Sequence, residues 1–299
     1  YDARDPAERL RYFTGAFLAL GQTLHYLALS EWWWIHEQGL PEGTPTPPLA
    51  FSEADNEVFP KLNYWQRFLH LQDYLEGLEN TLPKARPIPE FRRLVRSLRS
   101  DEELQQAIDF FRDVSQKADF STATAGDLFP ERALAALLRA TAFLVRYELV
   151  AVRSISVDFR KGTPAAFHHY LGKLYANQGG KMELKSGKGQ KDFYYSQSIV
   201  LTAKKPDQAG KKNQDKPFLS LSPLIIDLNN YQEGLEERED KLINVFTYSY
   251  SHNGRHYYHS ANRDVFASEL IKGQSVHTKM SSEEFLRGNP PEFPMPAML

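Results

Sequence analysis

The chain has 299 residues and a mass of 34.3 kDa, and its 41% hydrophobic and 25% charged side chains are typical of a folded protein rather than a disordered one. It contains no cysteine, which excludes disulfide frameworks, thiolate nucleophiles, iron–sulfur clusters and cysteine-based zinc sites. The formal net charge of −2 is unevenly distributed, because residues 160–216 carry 12 basic and only 4 acidic side chains. Such a segment can attract a polyanion, although a solvated lysine-rich loop has the same composition.

The first half of the chain has the apolar periodicity of amphipathic helices. Phe13, Phe17 and Leu24 recur at helical spacing in the first segment, and clustered proline and glycine end the pattern after Gln38. Ser100 and Glu103 have the spacing of a capping box. These patterns predict an α-helical bundle over residues 1–150, with helices at 6–38, 62–82, 90–98, 104–117 and 130–147.

The second half changes to the alternating pattern of β-strands. Asn253 and Gly254 form the preferred pair for a two-residue hairpin turn, so residues 243–261 are predicted to be an antiparallel hairpin. The predicted fold class is α+β, with an antiparallel β-sheet or small barrel over residues 151–299. This part carries lysine-rich loops at 179–191 and 204–217 and a proline-rich tail from about residue 287. Strands are predicted at 149–160, 165–174, 193–203, 218–228 and on both sides of the hairpin turn.

Three consecutive tryptophans, Trp32, Trp33 and Trp34, lie near the end of the first predicted helix. Successive helical residues turn by about 100°, so the three side chains sweep through about 200° and cannot all face one core. At least one of them is expected at a second interface. That interface is either the loop that follows Gly39 or the surface of a partner protein, because tryptophan is enriched at interaction hot spots.

The hairpin carries His252, His256 and His259, and the register of a two-residue turn tests whether they form a metal site. Pairing His252 with Arg255 places His256 on the opposite face and leaves His259 two rungs away. Metal ligands must approach one ion closely, so we expect no metal site in the hairpin. The same register predicts that Tyr248 lies opposite His259.

Tyr248, Tyr250 and Tyr257 share the predicted face of the hairpin that carries His252 and His259. An aromatic row of this kind is usually packed core, but it can also stack on exposed bases. Together with the basic segment, it gives an alternative prediction of an RNA or single-stranded nucleic-acid binder. The lysines that would contact phosphates in this alternative are Lys185, Lys188, Lys191, Lys204, Lys205, Lys211 and Lys212.

The segment FFRDVSQKAD (110–119) is followed by the apolar segment ALAALLRATAFLVRYELV (133–150). In this arrangement residues 60–175 resemble the helical HEPN-type domains of multidomain bacterial signalling and defence proteins. The motif of that family is an Arg-Asn pair with a following histidine, and its active members cleave RNA with the arginine and the histidine. The matching positions here are Arg112, Asp113 and Lys117. Because the histidine is missing, the resemblance implies a degenerate domain that no longer cleaves RNA and serves as a scaffold.

These observations predict a non-enzymatic interaction or regulatory module of a bacterial signalling or defence system that acts through a protein partner, with CRISPR-associated systems among the candidates. The nucleic-acid alternative includes a relative of the HEPN-type ribonucleases. The lysine-rich loops allow a third function as the substrate of a regulatory protease. No cofactor is expected. The interrupted apolar run of residues 17–35 and the charged residues at 2–11 are unlike a membrane span or signal peptide, so we expect a cytoplasmic protein that does not contact membranes.

Overall fold

The computed structural model describes residues 5–37, 63–77, 86–117, 120, 128–158, 161, 166–175, 178–184, 199–203, 219–222, 224–227, 245–252, 255–260, 265–271 and 274–280. These residues have an α+β fold, with helices in the first part of the chain and antiparallel sheets in the second. The chain forms two compact units that divide between Leu144 and Val145, whereas the sequence pattern placed the boundary at residue 150.

The helical unit contains a bundle of five α-helices in its described part, and each predicted helical segment overlaps one of them. Among the described residues, no helix combines the length and the apolar character that crossing a bilayer requires. The helices are α1 (Pro6–Glu37), α2 (Tyr64–Gly77), α3 (Glu90–Ser100), α4 (Glu102–Lys117) and α5 (Phe129–Ala140).

Aromatic side chains fill the core of the bundle. The ring of Phe17 on α1 stacks on Trp65 of α2 at a centroid distance of 5.4 Å and on Phe111 of α4 at 5.2 Å. Trp65 is also fixed through its indole Nε1, which donates a hydrogen bond of 3.1 Å to the carbonyl oxygen of Phe17. Gly21 allows this close approach, since a Cβ atom at that position would lie 2.6 Å from the Trp65 ring.

Two predicted helix boundaries were wrong. The cap of α4 is Asp101 rather than Ser100, because Asp101 Oδ1 accepts hydrogen bonds from the backbone N–H groups of Glu103 and Leu104 at 3.0 and 3.3 Å. The helix expected over 130–147 ends at Ala140 and continues as a 3₁₀ turn, Ala142–Arg146. Thr141 marks the change, since its hydroxyl donates to the Leu137 carbonyl at 2.8 Å.

The β-rich unit contains two five-stranded antiparallel sheets in its described part. The first has the order β3-β2-β1-β4-β5, and the second is a meander with the order β10-β9-β8-β7-β6. The strands are β1 (Tyr147–Asp158), β2 (Ala166–Tyr175), β3 (Gln178–Leu184), β4 (Ile199–Ala203), β5 (Leu219–Ser220), β6 (Ile225–Asp227), β7 (Val245–His252), β8 (Arg255–Ser260), β9 (Val265–Ile271) and β10 (Gln274–Met280).

A short segment links the two sheets within this unit. The backbone N–H of Leu221 donates to Ile199 of β4 in the first sheet, and Leu224 accepts from Tyr248 of β7 in the second, both at 2.8 Å. The loop predicted at 179–191 was wrong in its first part, because β3 occupies Gln178–Leu184. Strands β9 and β10 were not predicted, since neither has the strict alternation or the turn signal that identified the hairpin.

Candidate functional site

The end of α1 presents a surface of mixed burial. Trp32 is 2% exposed and belongs to the core, whereas Trp33 and Trp34 are each partly exposed. Trp32 is buried because it shares the inward face of α1 with Ala28 and Ile35, which lie four residues before it and three residues after it. Of the three tryptophans considered for a partner surface, the structure therefore leaves Trp33 and Trp34.

Glu31, the residue that precedes these tryptophans, forms a buried ion pair with Arg86. The carboxylate of Glu31 accepts hydrogen bonds from Nε and Nη2 of Arg86, and its Oε1 also accepts from the backbone N–H of Ile88 at 3.3 Å. Arg86 Nη2 in addition donates to Oε1 of Gln72 on α2 at 2.8 Å. The ion pair therefore joins α1, α2 and the segment before α3 at the end of α1 that carries the tryptophans.

Burial dominates the electrostatics of Glu31. Removing the carboxylate from water raises its pKa above the ordinary value of 4.5, while the hydrogen bonds and the charge of Arg86 act in the opposite direction. A guanidinium that binds both carboxylate oxygens has a fixed fork geometry. The pair therefore sets the distance between the helices more specifically than apolar contacts alone would do.

A second polar cluster lies two turns earlier on α1. Gln22 Nε2 donates to the hydroxyl of Tyr26 at 3.0 Å, and the ring of His25 lies 5.9 Å from that of Tyr64 on α2. Complete burial, with a smaller effect of the nearby Arg67 cation, lowers the pKa of His25 to about 3. The imidazole is therefore neutral near pH 7 and does not change its protonation state near that pH.

The spacing of these polar residues contains a signal that the sequence analysis did not use. Gln22, His25 and Glu31 interrupt the buried apolar side of α1 between Phe17 and Ile35, and all three are buried. Polar groups at such positions need partners on the neighbouring helices. The sequence could have indicated that α1 carries buried polar contacts, but it could not have identified Arg86 as the partner.

The predicted hairpin is confirmed, and its register differs from the prediction in one place. The pairs Tyr250 with Tyr257, Ser251 with His256 and His252 with Arg255 are observed, as a two-residue turn requires. A β-bulge between Tyr248 and Tyr250 then shifts the pairing, so that Tyr248 lies opposite Tyr258. The predicted pairing of Tyr248 with His259 was wrong, because alternation alone does not reveal a bulge.

The burial of Tyr248 assigns it to the core of the second sheet. Tyr248 and Tyr258 are each 3% exposed, and their rings meet edge to face with centroids 5.7 Å apart. Tyr248 is therefore not available to stack on a base. The structure describes only the backbone of Tyr250 and Tyr257, and the lysines of the nucleic-acid alternative, Lys185, Lys188, Lys191, Lys204, Lys205, Lys211 and Lys212, lie outside the described residues.

The segment that resembles a HEPN motif lies on α4. The guanidinium of Arg112 contacts the carboxylate of Asp109 at 2.7 Å and that of Asp113 at 3.5 Å, both on the same helix. These two carboxylates neutralise the positive charge that such a motif would direct at a phosphate. Over the part of the chain that the structure describes, no group of three or more histidine, aspartate or glutamate side chains is arranged to hold a metal ion.

Comparisons with models of protein families, with curated protein sequences and with solved structures found no match for this chain.

Proposed function

We propose that this protein is a non-enzymatic interaction module, which binds a partner protein through Trp33 and Trp34 at the end of α1. The observation that carries the proposal is the mixed burial of three consecutive tryptophans, with Trp32 in the core and the next two partly exposed. Large aromatic side chains contribute a large share of binding free energy. A partner that covers a tryptophan removes much apolar surface from water, and little conformational entropy is lost because the side chain has only two rotatable bonds.

The packing beneath this surface supports a binding function. Trp32 and Ile35 anchor the last turns of α1 in the core, and Glu31 is held by Arg86. A surface that is ordered before the partner arrives loses less conformational entropy on association than a mobile one. Trp33 and Trp34 are thus presented from a backbone that is fixed by its neighbours.

The electrostatics of the helical unit favour a binding role over catalysis. The most strongly shifted imidazole, His25, is neutral and buried, and Glu31 is engaged by Arg86. Arg112 at the HEPN-like position is paired with two carboxylates. Combined with the resemblance, these features lead us to propose a scaffold of a cytoplasmic bacterial signalling or defence system.

The test is affinity capture from a lysate of the native host with three forms of the full chain. These are the wild type, the double variant Trp33→Ala/Trp34→Ala, and a control, Leu138→Ala, which truncates another exposed apolar side chain of the same unit. Circular dichroism establishes that all three forms are folded. A partner recovered by capture is then purified, and its dissociation constant is measured against each form.

The proposal expects a partner that the wild type and the control bind alike. The double variant should bind it at least about 30-fold more weakly, which corresponds to the loss of about 2 kcal/mol at a hot spot. Equal binding of all three forms would show that the tryptophans do not form the interface, and recovery of no specific protein would count against the interaction module itself.

A further inference from the structure

Helix α3 carries a row of arginines on its outer side. Its eleven residues include four arginines and one glutamate. The side chains of Phe91, Leu94, Val95 and Leu98 are buried against the bundle, whereas Arg93, Arg96 and Arg99 are exposed and Arg92 is partly buried. We call the exposed side of this helix, with Arg92, Arg93, Arg96 and Arg99, the arginine face.

The spacing of the arginine face brings like charges together. Arg92 and Arg96 are four residues apart, and Arg93 and Arg96 are three residues apart, so each pair lies on adjacent turns. Like charges at these spacings oppose helix formation. The fold therefore keeps an arrangement that costs stability.

The exposed arginines of the row differ in their ion pairs. Arg99 is paired with Asp73 and Glu76 of α2. Among the described residues, no carboxylate lies within ion-pair distance of Arg93 or Arg96. Two permanent cations thus face solvent side by side.

We propose that the arginine face binds the phosphate backbone of a nucleic acid. A guanidinium presents a fork of donors that matches a phosphate, and a row of them at helical spacing can contact successive phosphates of one strand. Ser97 lies next to Arg93 and Arg96 on α3 and is partly exposed, and hydroxyl groups of this kind also contact phosphates.

The composition of the face favours a nucleic acid over an acidic protein. Protein interfaces have an apolar or aromatic centre surrounded by a polar rim. The outward residues of α3 include no exposed aliphatic or aromatic side chain, apart from the proline that precedes the helix. Recognition of a phosphate backbone needs only cations and hydrogen-bond donors, and the guanidinium groups of the arginine face are both. The arginine face does not include Trp33 or Trp34, so the proposal of nucleic-acid binding does not depend on the proposed function.

The experiment measures the fluorescence anisotropy of a labelled, mixed-sequence single-stranded RNA and of a labelled blunt duplex of equal length with the full chain. Salt is varied between roughly 50 and 200 mM, the range over which phosphate contacts weaken strongly. The test variant is Arg93→Gln/Arg96→Gln. The matched control is Arg132→Gln/Arg139→Gln, which removes the same charge from exposed positions on α5 of the same unit. A third variant replaces Lys204, Lys205, Lys211 and Lys212 with Gln.

We expect wild type and the α5 control to bind alike, with the test variant weaker on the order of 10-fold at 0.1 M salt. If each arginine neutralises one phosphate, the slope of log K against log salt becomes shallower by about 1.4 for the single strand. Binding of the RNA alone or of both probes supports the proposal and identifies the strand form that is preferred.

Folding is controlled by a further variant, Arg96→Glu. It replaces like-charge contacts on α3 with favourable ones, so its melting temperature should equal or exceed that of the wild type while its RNA binding is lost. Absent binding at the lowest salt, equal weakening in the α5 control, or weakening only in the lysine variant would each overturn the proposal. Equal affinity for poly-glutamate at matched charge would likewise overturn it in favour of an acidic protein ligand.

Discussion

Glu31 and Arg86 form an ion pair inside the helical unit, where their side chains are 0% and 3% exposed. The two residues are 55 positions apart in the sequence, and the pair connects α1 with the segment that leads into α3. Neither charge can be solvated by water, so each depends on the other. Removing one partner of the pair should therefore be strongly destabilising.

We expect Arg86→Met to lower the free energy of unfolding by about 3–5 kcal/mol, because it leaves the Glu31 carboxylate buried without its counter-charge. The double variant Glu31→Gln/Arg86→Met should recover a large part of this loss, since it leaves no buried charge. Urea unfolding at pH 7 measures both values. Equal stability of the single and double variants would contradict an interdependent pair.

The same pair has a pH signature. Burial raises the pKa of Glu31 above 4.5, so the folded chain keeps this proton to a higher pH than the unfolded chain does. The resulting contribution to stability is complete below pH 4.5 and is lost as the pH rises through the folded pKa. Arg86 opposes the shift, so in Arg86→Met the loss of stability should continue to a higher pH than in wild type. Parallel profiles would argue against the Arg86 contact.

His25 should produce the opposite dependence. Its pKa is lowered from 6.5 to about 3, so below pH 6.5 the unfolded chain binds a proton that the folded chain does not. Stability therefore falls with decreasing pH, at up to about 1.4 kcal/mol per pH unit. The variant His25→Phe keeps a ring against Tyr64 and should show a flatter acid limb in urea unfolding. A His25 imidazole that titrates by NMR between pH 8 and 5 would contradict its burial.

Gly21 and Gly77 allow the effect of an added methyl group at a closely packed position to be compared with its effect at an open one. Gly21→Ala improves the helix propensity of α1 but places a methyl group 2.6 Å from the Trp65 ring, so we expect a net loss of about 1–3 kcal/mol. Nothing lies within 4 Å of a Cβ atom at Gly77, the last residue of α2, so Gly77→Ala should be neutral or slightly stabilising. Thermal unfolding compares the two, and an equal effect of both variants would exclude the proposed clash.

The periodic elements were predictable because one simple period extends over many residues. The apolar repeat of α1 located both of its ends to within one residue, and the Asn253-Gly254 signal located the hairpin. The same reasoning missed the 3₁₀ turn after Ala140, because the apolar spacing continues through a change in hydrogen bonding that depends on Thr141. A local apolar pattern shows which side of a helix or strand is buried, but it does not show where the hydrogen bonding of that element changes.

The candidate surfaces were harder to predict because they depend on contacts between distant residues. A helical wheel shows that three consecutive tryptophans must diverge, but only the packing of α1 decides that Trp32 is the buried one. The bulge that moves Tyr248 opposite Tyr258 is likewise set by the sheet rather than by alternation along β7. The arginines of α3 can be read from the sequence, whereas the pairing of Arg99 with Asp73 and Glu76 of α2 cannot.

The availability of Trp33 and Trp34 is tested most directly by acrylamide quenching of intrinsic fluorescence. The four tryptophans of the chain are at positions 32, 33, 34 and 65, and Trp32 and Trp65 are buried. Wild type should show a quenchable component that is absent from Trp33→Phe/Trp34→Phe and that becomes protected when the captured partner is added. Equal, weak quenching of wild type and the double variant would show that both indoles are already covered in the free chain, which would contradict an interaction surface at the end of α1.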